Sequence, residues 1–192
     1  MNRLETRPPK PTTELETARL KLRQWQAHDL EPFAKMNADP RVMEFFPALL
    51  SRAESDAMAD RMQALIAQRG FGFWAAELKV SRAFIGFVGL HIPTAELPFS
   101  PCVEIGWRLA FPFWGQGYAT EAASEALRLA FTELNLPEIV SFTAIGNLRS
   151  QAVMRRLNMQ RQPGTFQHPD FPAGHPLREH CWYRLSREEW QP

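Results

Sequence analysis

The sequence predicts an α/β fold in which one mixed sheet carries helices on both faces. Strand-like runs in the first half follow one another as hairpins, whereas those in the second half alternate with helical patterns. The 192 residues, of which 45% are hydrophobic, suit a single domain with a substantial core. The sequence contains no internal repeat that would suggest another architecture.

The first predicted elements are one strand and two helices. Residues 19–25 alternate basic and apolar side chains, as half-buried strands do. A helix is expected near 28–38 and should end at Asp39-Pro40, because proline disfavours helical geometry in the residue before it. Ser51 and Glu54 have the spacing of a capping box, which predicts a second helix that continues to Gly70.

Three strands are expected next. Residues 71–78 and 83–91 are typical of two strands joined by a turn around 79–82. Residues 102–110 form a third strand candidate after a proline-containing loop. Gly106 lies inside this third strand and predicts a bulge there, since a glycine within a strand often marks one.

The second half alternates helices and strands. A helix is expected from Gly117 to about Leu134, with a stripe of alanines that allows close packing on a sheet. The remaining predictions are a strand at 139–143, a helix at 149–157, strands at 159–166 and 177–185, and a loop rich in Pro, Gly and His at 168–176.

Composition limits the partners and the setting. The 22 basic and 21 acidic residues leave no net charge that would draw the chain to nucleic acid or to an anionic membrane. Cys102 and Cys181 lie in apolar segments, which favours buried thiols and a reducing compartment. Without a secretory signal or a membrane-spanning stretch, a cytoplasmic location is expected. Residues 1–15 are expected to be a flexible lead-in and residues 16–192 the domain.

The most informative segment is the stretch Phe-Trp-Gly-Gln-Gly-Tyr-Ala-Thr-Glu-Ala at 113–122. Glycines at 115 and 117 allow the backbone to turn so that several N–H groups point to one spot. The first N–H groups of the following helix have no intrahelical partner and would stabilise a pyrophosphate. The segment therefore favours an anionic cofactor, although a glycine pair alone is more often a simple tight turn.

Three blocks occur in order, namely E-I-G-W-R-L at 104–109, W-G-Q-G-Y-A-T-E-A at 114–122 and N-L-R-S-Q-A-V-M-R-R-L-N-M at 147–159. Together they resemble the GCN5-related N-acetyltransferases (GNAT), in particular the branch of ribosomal-protein N-terminal acetyltransferases. The likeness runs from about Glu16 to Trp190. Trp114 and the pair Asn158-Met159 depart from the Gln or Arg and the Gly-Phe that the wider family favours. The resemblance implies a single domain with a mostly antiparallel sheet that is splayed at its centre.

The resemblance also implies acetyl-CoA as the acetyl donor, with direct attack on its thioester by a primary amine of a protein N-terminus or a small molecule. The strand at 107–109 would pair with the pantetheine amides, and a cradle formed by the backbone N–H groups from Gly115 to Thr120 would hold the pyrophosphate. Asn147 would bind the pantetheine arm, although its position suits an ordinary helix N-cap equally well. The residues implied for the cofactor are Trp107, Arg108, Leu109, Gly115, Gln116, Gly117, Tyr118, Ala119, Thr120 and Asn147.

Glu104 and Ser150 are the candidate catalytic residues. Glu104 is the leading candidate for the base, against the alternatives of a solvent-facing carboxylate and an ordered water that takes the proton instead. Ser150 is the candidate donor to the leaving thiolate, because Met154 occupies the position of the family's common tyrosine and cannot donate a proton. His168, His175 and His180 are the reserve bases, because imidazole titrates near neutral pH. Their spacing is not that of a recognised zinc site, so a metal site is not expected.

The acceptor and two alternative functions stay open. Residues 45–47, Phe-Phe-Pro, lie where relatives build part of the acceptor pocket and suggest an apolar wall. Scattered acidic residues in the first two helices weaken a polyamine acceptor but leave an aminoglycoside open. A non-catalytic acyl-CoA sensor is the main alternative, since Met154 replaces the tyrosine. A dinucleotide-binding protein fits less well, because the glycines do not follow the Gly-x-Gly-x-x-Gly spacing. A homodimer is left open.

Overall fold

The computed structural model describes residues 13–191, which form one sheet and the helices that cover it. The strands are β1 (Leu15–Glu16), β2 (Leu20–Arg23), β3 (Phe73–Leu78), β4 (Phe84–His91), β5 (Glu104–Leu109), β6 (Glu138–Ala144), β7 (Gln160–Arg161), β8 (Phe166–Gln167) and β9 (Glu179–Ser186). The helices are α1 (Leu30–Asn37), α2 (Arg52–Arg69), α3 (Tyr118–Thr132) and α4 (Leu148–Arg156). The predicted α/β class is confirmed.

The sheet consists of two parts that meet at one residue pair. Its order is β1-β2-β3-β4-β5-β6-β9-β7, with β8 also paired to β9. Each of these pairs is antiparallel except β5 with β6, which α3 connects as a parallel crossover. The register joins these two strands only at Glu104 and Val140. The sheet is therefore mostly antiparallel and splayed at its centre, as predicted.

Helices cover both faces of the sheet. The front face is the side of the sheet on which α1 packs against β4 and α2 packs against β3, and the back face is the side on which α3 packs against β4 and β5. Residues of the predicted alanine stripe are fully buried where α3 packs on the sheet, namely Ala122, Ala123, Ala126 and Ala130. The absence of larger side chains on this stripe lets α3 lie close to β4 and β5.

Local signals placed the helix ends correctly. Ser51 and Glu54 form the predicted capping box, in which the Glu54 carboxylate accepts from the Ser51 N–H at 2.8 Å. Gly70 ends α2 in the left-handed conformation, with φ of 82°. The helix near 28–38 begins as a 3-10 turn and ends at Asn37, before Asp39-Pro40.

Three predictions differ from the structure. The register of β4 with β5 continues without a bulge through Gly106, so the predicted bulge is wrong. The bulge lies in β4, where Gly86 with φ of 139° follows an extra residue opposite β3. The predicted strand at 159–166 consists of β7 and β8, because the chain turns at Gly164 with φ of 76°. Leu15 lies in β1 with 3% exposure, inside the predicted lead-in, whose residues 1–12 lie outside the described part.

A cluster of charged side chains is buried between β2, β3 and the start of α1. The Arg23 guanidinium donates to Asp29 Oδ2 at 2.7 Å and to Glu77 Oε2 at 2.8 Å. Arg82 donates to the other oxygen of Glu77 at 2.7 Å. Arg23, Asp29 and Glu77 are each at most 2% exposed, so the Arg23 cluster replaces water with internal ion pairs.

The described residues contain free thiols but neither a metal-binding cluster nor a membrane-spanning helix. Cys181 is buried, Cys102 is half-buried, and both are free. Across residues 13–191, no cluster of three or more His, Cys, Asp and Glu side chains is arranged to hold a metal ion. None of the helices described above has both the length and the apolar character needed to cross a bilayer.

Candidate active site

The gap between β5 and β6 exposes backbone groups of β5 that a continuous sheet would pair with its neighbouring strand. Backbone groups of a strand alternate between its two sides, so the N–H and C=O of Trp107 and the N–H of Leu109 point into the gap. The Leu109 C=O accepts from the Trp114 indole N–H at 2.7 Å. An extended ligand with amide groups can pair with this edge as an added strand would.

Arg108 is directed away from the gap. The Ala110 N–H donates to the Ile85 C=O at 2.9 Å, and the same register pairs the backbone of Arg108 with Phe87 of β4. The prediction that Arg108 pairs with the pantetheine amides is therefore wrong, because its backbone groups already belong to the sheet. Its side chain extends over the front face, where Nη1 donates to Asn37 Oδ1 at 2.7 Å.

The predicted cradle lies at the start of α3. Gly115 and Gly117 adopt φ of 74° and 82°, which non-glycine residues rarely adopt. Gly117 is the N-cap of α3 and supplies no side-chain acceptor, and the first helical hydrogen bond runs from the Glu121 N–H to the Gly117 C=O at 3.0 Å. The N–H groups of Tyr118, Ala119 and Thr120 thus point out of the helix end, where an anion is stabilised.

Two side chains that the sequence analysis missed support this cradle. Arg19 donates through Nη1 to the Gln116 C=O at 3.0 Å and through Nε to Glu121 Oε2 at 2.6 Å. Its guanidinium also lies 4.4 Å from the centre of the Tyr118 ring. Glu121 in turn accepts from the Thr17 hydroxyl at 2.6 Å. The backbone of the cradle is therefore held by residues from the other end of the domain.

Glu104 lies at the apex of the gap. It is the one residue of β5 whose register reaches both β4 and β6, opposite His91 and Val140. Burial raises the pKa of the Glu104 carboxyl to about 8, so this group exchanges its proton near neutral pH. His91 stacks on Phe73 with ring centres 5.3 Å apart, and burial lowers its pKa. The role of His91 is not visible in the sequence, because only the register places it beside Glu104.

Asn147 and Ser150 lie at the start of α4, on the other side of the gap. Asn147 is the N-cap of α4 and accepts from the Ser150 N–H at 3.1 Å. Its amide nitrogen donates to Thr143 Oγ1 at 3.0 Å and to Ser150 Oγ at 3.1 Å. The Ser150 hydroxyl acts as an acceptor in the last of these bonds and so keeps its own proton for another partner. Met154, one turn later, is buried.

The reserve histidines belong to an aromatic cluster on β6, β8 and β9. The rings of His168 and His180 lie 4.7 Å apart, and His180 lies against Phe142, Phe166 and Phe171. Burial lowers the pKa of His168, and burial together with His168 lowers that of His180 to about 4, so the His180 imidazole is neutral at neutral pH. His175 packs on Phe171 with ring centres 5.0 Å apart. These contacts are typical of a packed aromatic cluster.

The segment between α1 and α2, residues 38–51, spans the mouth of the gap. Glu44 forms an ion pair with Arg149 of α4. A Cβ placed on Gly146 would lie 3.5 Å from the Phe45 ring, and the Phe46 ring covers the Arg108 guanidinium at 3.8 Å. Phe45 and Phe46 therefore contact opposite sides of the gap, which agrees with the predicted apolar wall.

The family model for the acetyltransferase (GNAT) domain matches residues 19–160. The chain belongs to the GNAT acetyltransferases. The FsC-acetyl coenzyme A-N(2)-transacetylase of Aspergillus fumigatus is 33% identical over 183 residues, which cover 92% of this chain and 77% of that protein. This GNAT protein is accordingly an acetyl-CoA-dependent N-acetyltransferase, and the alternative of a non-catalytic sensor is not favoured.

Solved structures share the GNAT fold. The acetyltransferase from Agrobacterium tumefaciens strain C58 superposes with a TM-score of 0.72 at 28% identity and covers 90% of this chain and 94% of its own. RimL, a ribosomal L7/L12 alpha-N-protein acetyltransferase in complex with coenzyme A, superposes with a TM-score of 0.70 at 17% identity. That likeness covers 92% of this chain and 99% of RimL and confirms the fold.

Coenzyme A fits the residues of this GNAT site. A Cβ on Gly115 would meet no atom of the described residues within 4 Å, and one on Gly117 would meet only Arg19 at 3.5 Å, so the cradle is open. The uncapped N–H groups of α3 suit the pyrophosphate, and the open edge of β5 suits the pantetheine amides. The donors are neutral backbone groups, which hold an anion without an ion pair.

Replacing Glu121 by Gln in this GNAT enzyme should weaken acetyl-CoA binding by about tenfold, because a charge-assisted bond to Arg19 is lost and the cradle backbone shifts. Burial works to raise the pKa of Glu121, but hydrogen bonds from Thr17 and Arg19 outweigh it and lower the pKa. Titration calorimetry measures the affinity. Glu125→Gln on the same helix, which breaks only the ion pair with Arg128, is the control. Equal affinities of the two variants would show that Glu121 does not support the cradle.

Proposed function

We propose that this GNAT enzyme acetylates a primary amine, with Glu104 as the general base. The position and environment of Glu104 carry this proposal. The residue lies where β5 leaves β6, on the front face, and burial raises its pKa to about 8. A base with a pKa near the working pH is suited to remove a proton from an ammonium group.

The cofactor residues divide into a phosphate site and an extended site. The N–H groups from Gly115 to Thr120 hold the pyrophosphate, with Gln116 fixed through its C=O by Arg19. Trp107 and Leu109 pair with the pantetheine amides through the open edge of β5. Both N–H groups of the Asn147 amide are already used, so Asn147 contributes the second lone pair of its Oδ1 as an acceptor.

Bound acetyl-CoA supplies an activated acetyl thioester. The ionised Glu104 carboxylate accepts a proton from the acceptor ammonium and so frees the nitrogen lone pair. The amine nitrogen forms the new C–N bond while the C–S bond breaks, and the Trp107 N–H hydrogen-bonds the carbonyl oxygen on which negative charge develops. The Ser150 hydroxyl donates a hydrogen bond to the sulfur that leaves, and Asn147 holds this hydroxyl in place. The thiolate takes up the second proton that the nitrogen releases as the amide forms, so the products are the acetylated amine and the coenzyme A thiol.

The proposal also concerns the setting of the reaction. Both cysteines are free and the net charge is +1, which supports a reducing cytoplasm and no binding to nucleic acid or membranes. Cell fractionation tests the location, and enrichment of the enzyme with membranes would contradict it.

Titration calorimetry with acetyl-CoA, coenzyme A, NAD and ATP tests the cofactor site. The wild type should bind only the two coenzyme A compounds. Gly117→Trp should weaken this binding by about 100-fold, because the side chain blocks the pyrophosphate and distorts the left-handed backbone.

Gly164→Trp is the matched control, because Gly164 also has a positive φ, of 76°, and open space around it, but it lies between β7 and β8. Its affinity for acetyl-CoA should equal that of the wild type. Equal weakening in both variants would trace the loss to backbone strain, and a folded wild type that binds none of the four ligands would contradict the assignment of the site.

A further inference from the structure

The front face of β5 carries a buried guanidinium that the proposed mechanism does not use. Arg108 is 7% exposed. No carboxylate of residues 13–191 forms an ion pair with it, whereas Arg23, which is also buried, has two carboxylate partners. A buried charge without a counter-ion destabilises the fold, so its presence needs another explanation.

The contacts of Arg108 leave one edge of its guanidinium free. Nη1 donates to Asn37 Oδ1 at 2.7 Å and lies 4.0 Å from the Met58 sulfur. The Phe46 ring centre lies 3.8 Å, and that of Phe87 5.4 Å, from the guanidinium carbon. Within the described chain, Nε is buried without a hydrogen-bond partner, and Nη2 has none either. Asn37, α2 and two aromatic rings thus fix the group while its Nε–Nη2 edge stays unpaired.

This free edge lies on the same face as the proposed base. Side chains alternate along β5, so Glu104, Gly106 and Arg108 all belong to the front face. The Cα atoms of Glu104 and Arg108 are about 13 Å apart along the strand. Between them Gly106 is half-buried and has no side chain, and the Phe73 ring edge lies 3.1 Å from where its Cβ would be. The Phe73 ring edge therefore takes the place of a Gly106 side chain and forms an apolar surface on the front face between the carboxyl group and the guanidinium.

We propose that Arg108 binds the carboxylate of the acceptor, so that the substrates of this enzyme are aminocarboxylates. The inference rests on the proposed function, because it places the acceptor amine at Glu104. Two parallel N–H groups on one guanidinium edge match the two oxygens of a carboxylate. Such a ligand supplies the missing counter-ion and gives Nε its partner. Arg108 thereby determines acceptor specificity, while Asn37 positions it.

A structural role for Arg108 is the competing explanation, since Asn37 also donates to the Ser55 hydroxyl at 2.9 Å and the chain of bonds links β5, α1 and α2. The two roles differ in their effect on stability. If Arg108 is kept for a ligand, Arg108→Met removes an uncompensated charge and should leave the unfolding midpoint unchanged or raise it. If it is a structural link, the midpoint should fall.

The experiment compares matched acceptors in steady-state kinetics with saturating acetyl-CoA. The series is glycine, β-alanine, 4-aminobutanoate and 6-aminohexanoate, each beside its carboxamide. The wild type should prefer at least one acid over its amide by about 10- to 100-fold in kcat/KM, the range of a charge-assisted bidentate hydrogen bond. In Arg108→Met this ratio should fall to about one, and Arg108→Lys should recover only part of it, because lysine lacks the planar fork.

Arg52→Met is the control, since Arg52 is an exposed arginine of α2 that pairs with Asp56, and it should keep the wild-type ratio. Amides used as well as acids by the wild type would overturn the carboxylate site while leaving the acetyltransferase function in place. A ratio that persists in Arg108→Met, or a lowered unfolding midpoint with an unchanged ratio, would identify Arg108 as structural. Acetyl-CoA binding without turnover of any amine would contradict the proposed function instead.

Discussion

Replacing Glu104 by Gln should lower kcat by about 100- to 10,000-fold, because the amide cannot accept the proton of the acceptor ammonium. The substitution keeps the size of the side chain and removes only its charge, so the affinity for acetyl-CoA should not change. Steady-state kinetics combined with calorimetric binding separates the two effects. Glu138→Gln is the matched control, since Glu138 begins the neighbouring β6, is partly exposed and pairs with Arg184.

The pH profile gives an independent test of the same group. The pKa of Glu104 is raised to about 8, so the carboxyl is neutral below that pH and becomes an active base above it. The rate of the wild type should therefore rise with pH up to about 8 and then level off, and Glu104→Gln should lose this rise. Between the ordinary pKa of a glutamate and about 8, the carboxyl of Glu104 stays protonated in the folded state and is ionised in the unfolded state. The contribution of this group to the free energy of unfolding therefore decreases as the pH rises through this range. A Gln variant with full kcat and an unchanged profile would show that a water or histidine is the base.

Ser150→Ala should be measured alongside. The Ser150 hydroxyl contacts only the sulfur in the proposed reaction, and solvent can replace it in part, so its loss should cost less in kcat than the loss of Glu104. Acetyl-CoA affinity should persist, because Asn147 keeps its bonds to Thr143 and to the Ser150 N–H. An unchanged kcat would remove Ser150 from the mechanism.

Replacing Arg23 by Met should lower the free energy of unfolding by about 3–5 kcal/mol, because the buried Asp29 would lose its arginine partner and the buried Glu77 would keep only the exposed Arg82. Chemical denaturation monitored by tryptophan fluorescence measures the change. Arg82→Met is the control, since the Arg82 side chain is 76% exposed and its pair with Glu77 should contribute at most about 1 kcal/mol. Equal losses in the two variants would show that burial does not govern the strength of the Arg23 cluster.

Local sequence signals predicted most of the fold because their causes lie within a few residues. Ser51 and Glu54 satisfy each other within one helical turn, and Gly70 is needed where α2 ends in a left-handed conformation. The cradle was predicted for the same reason, since Gly115, Gly117 and the start of α3 are contiguous. Residues 159–166 were predicted as one strand, because the pattern of apolar and polar residues there does not distinguish one strand from two short strands on either side of Gly164.

Contacts between distant segments could not be predicted. Glu77 is 54 residues from Arg23 and Glu121 is 102 from Arg19, and no spacing rule connects such pairs. The direction of Arg108 depends on the register of β5 with β4, where a shift by one residue would turn its backbone toward the gap. The raised pKa of Glu104 follows from its burial, and the position of His91 beside it follows from the register. Neither burial nor register can be read directly from the sequence.

The single residue pair between β5 and β6 also affects how this protein behaves in a crowded solution. Without a ligand, the gap leaves unsatisfied main-chain donors and acceptors on an inner strand, and such an edge can recruit a foreign extended chain. A cofactor that pairs with this edge also shields it and stabilises only the folded state. The concentration of acetyl-CoA in the cell should therefore affect the lifetime of the folded enzyme as well as its rate. When acetyl-CoA is scarce, the ligand-free enzyme should aggregate more readily.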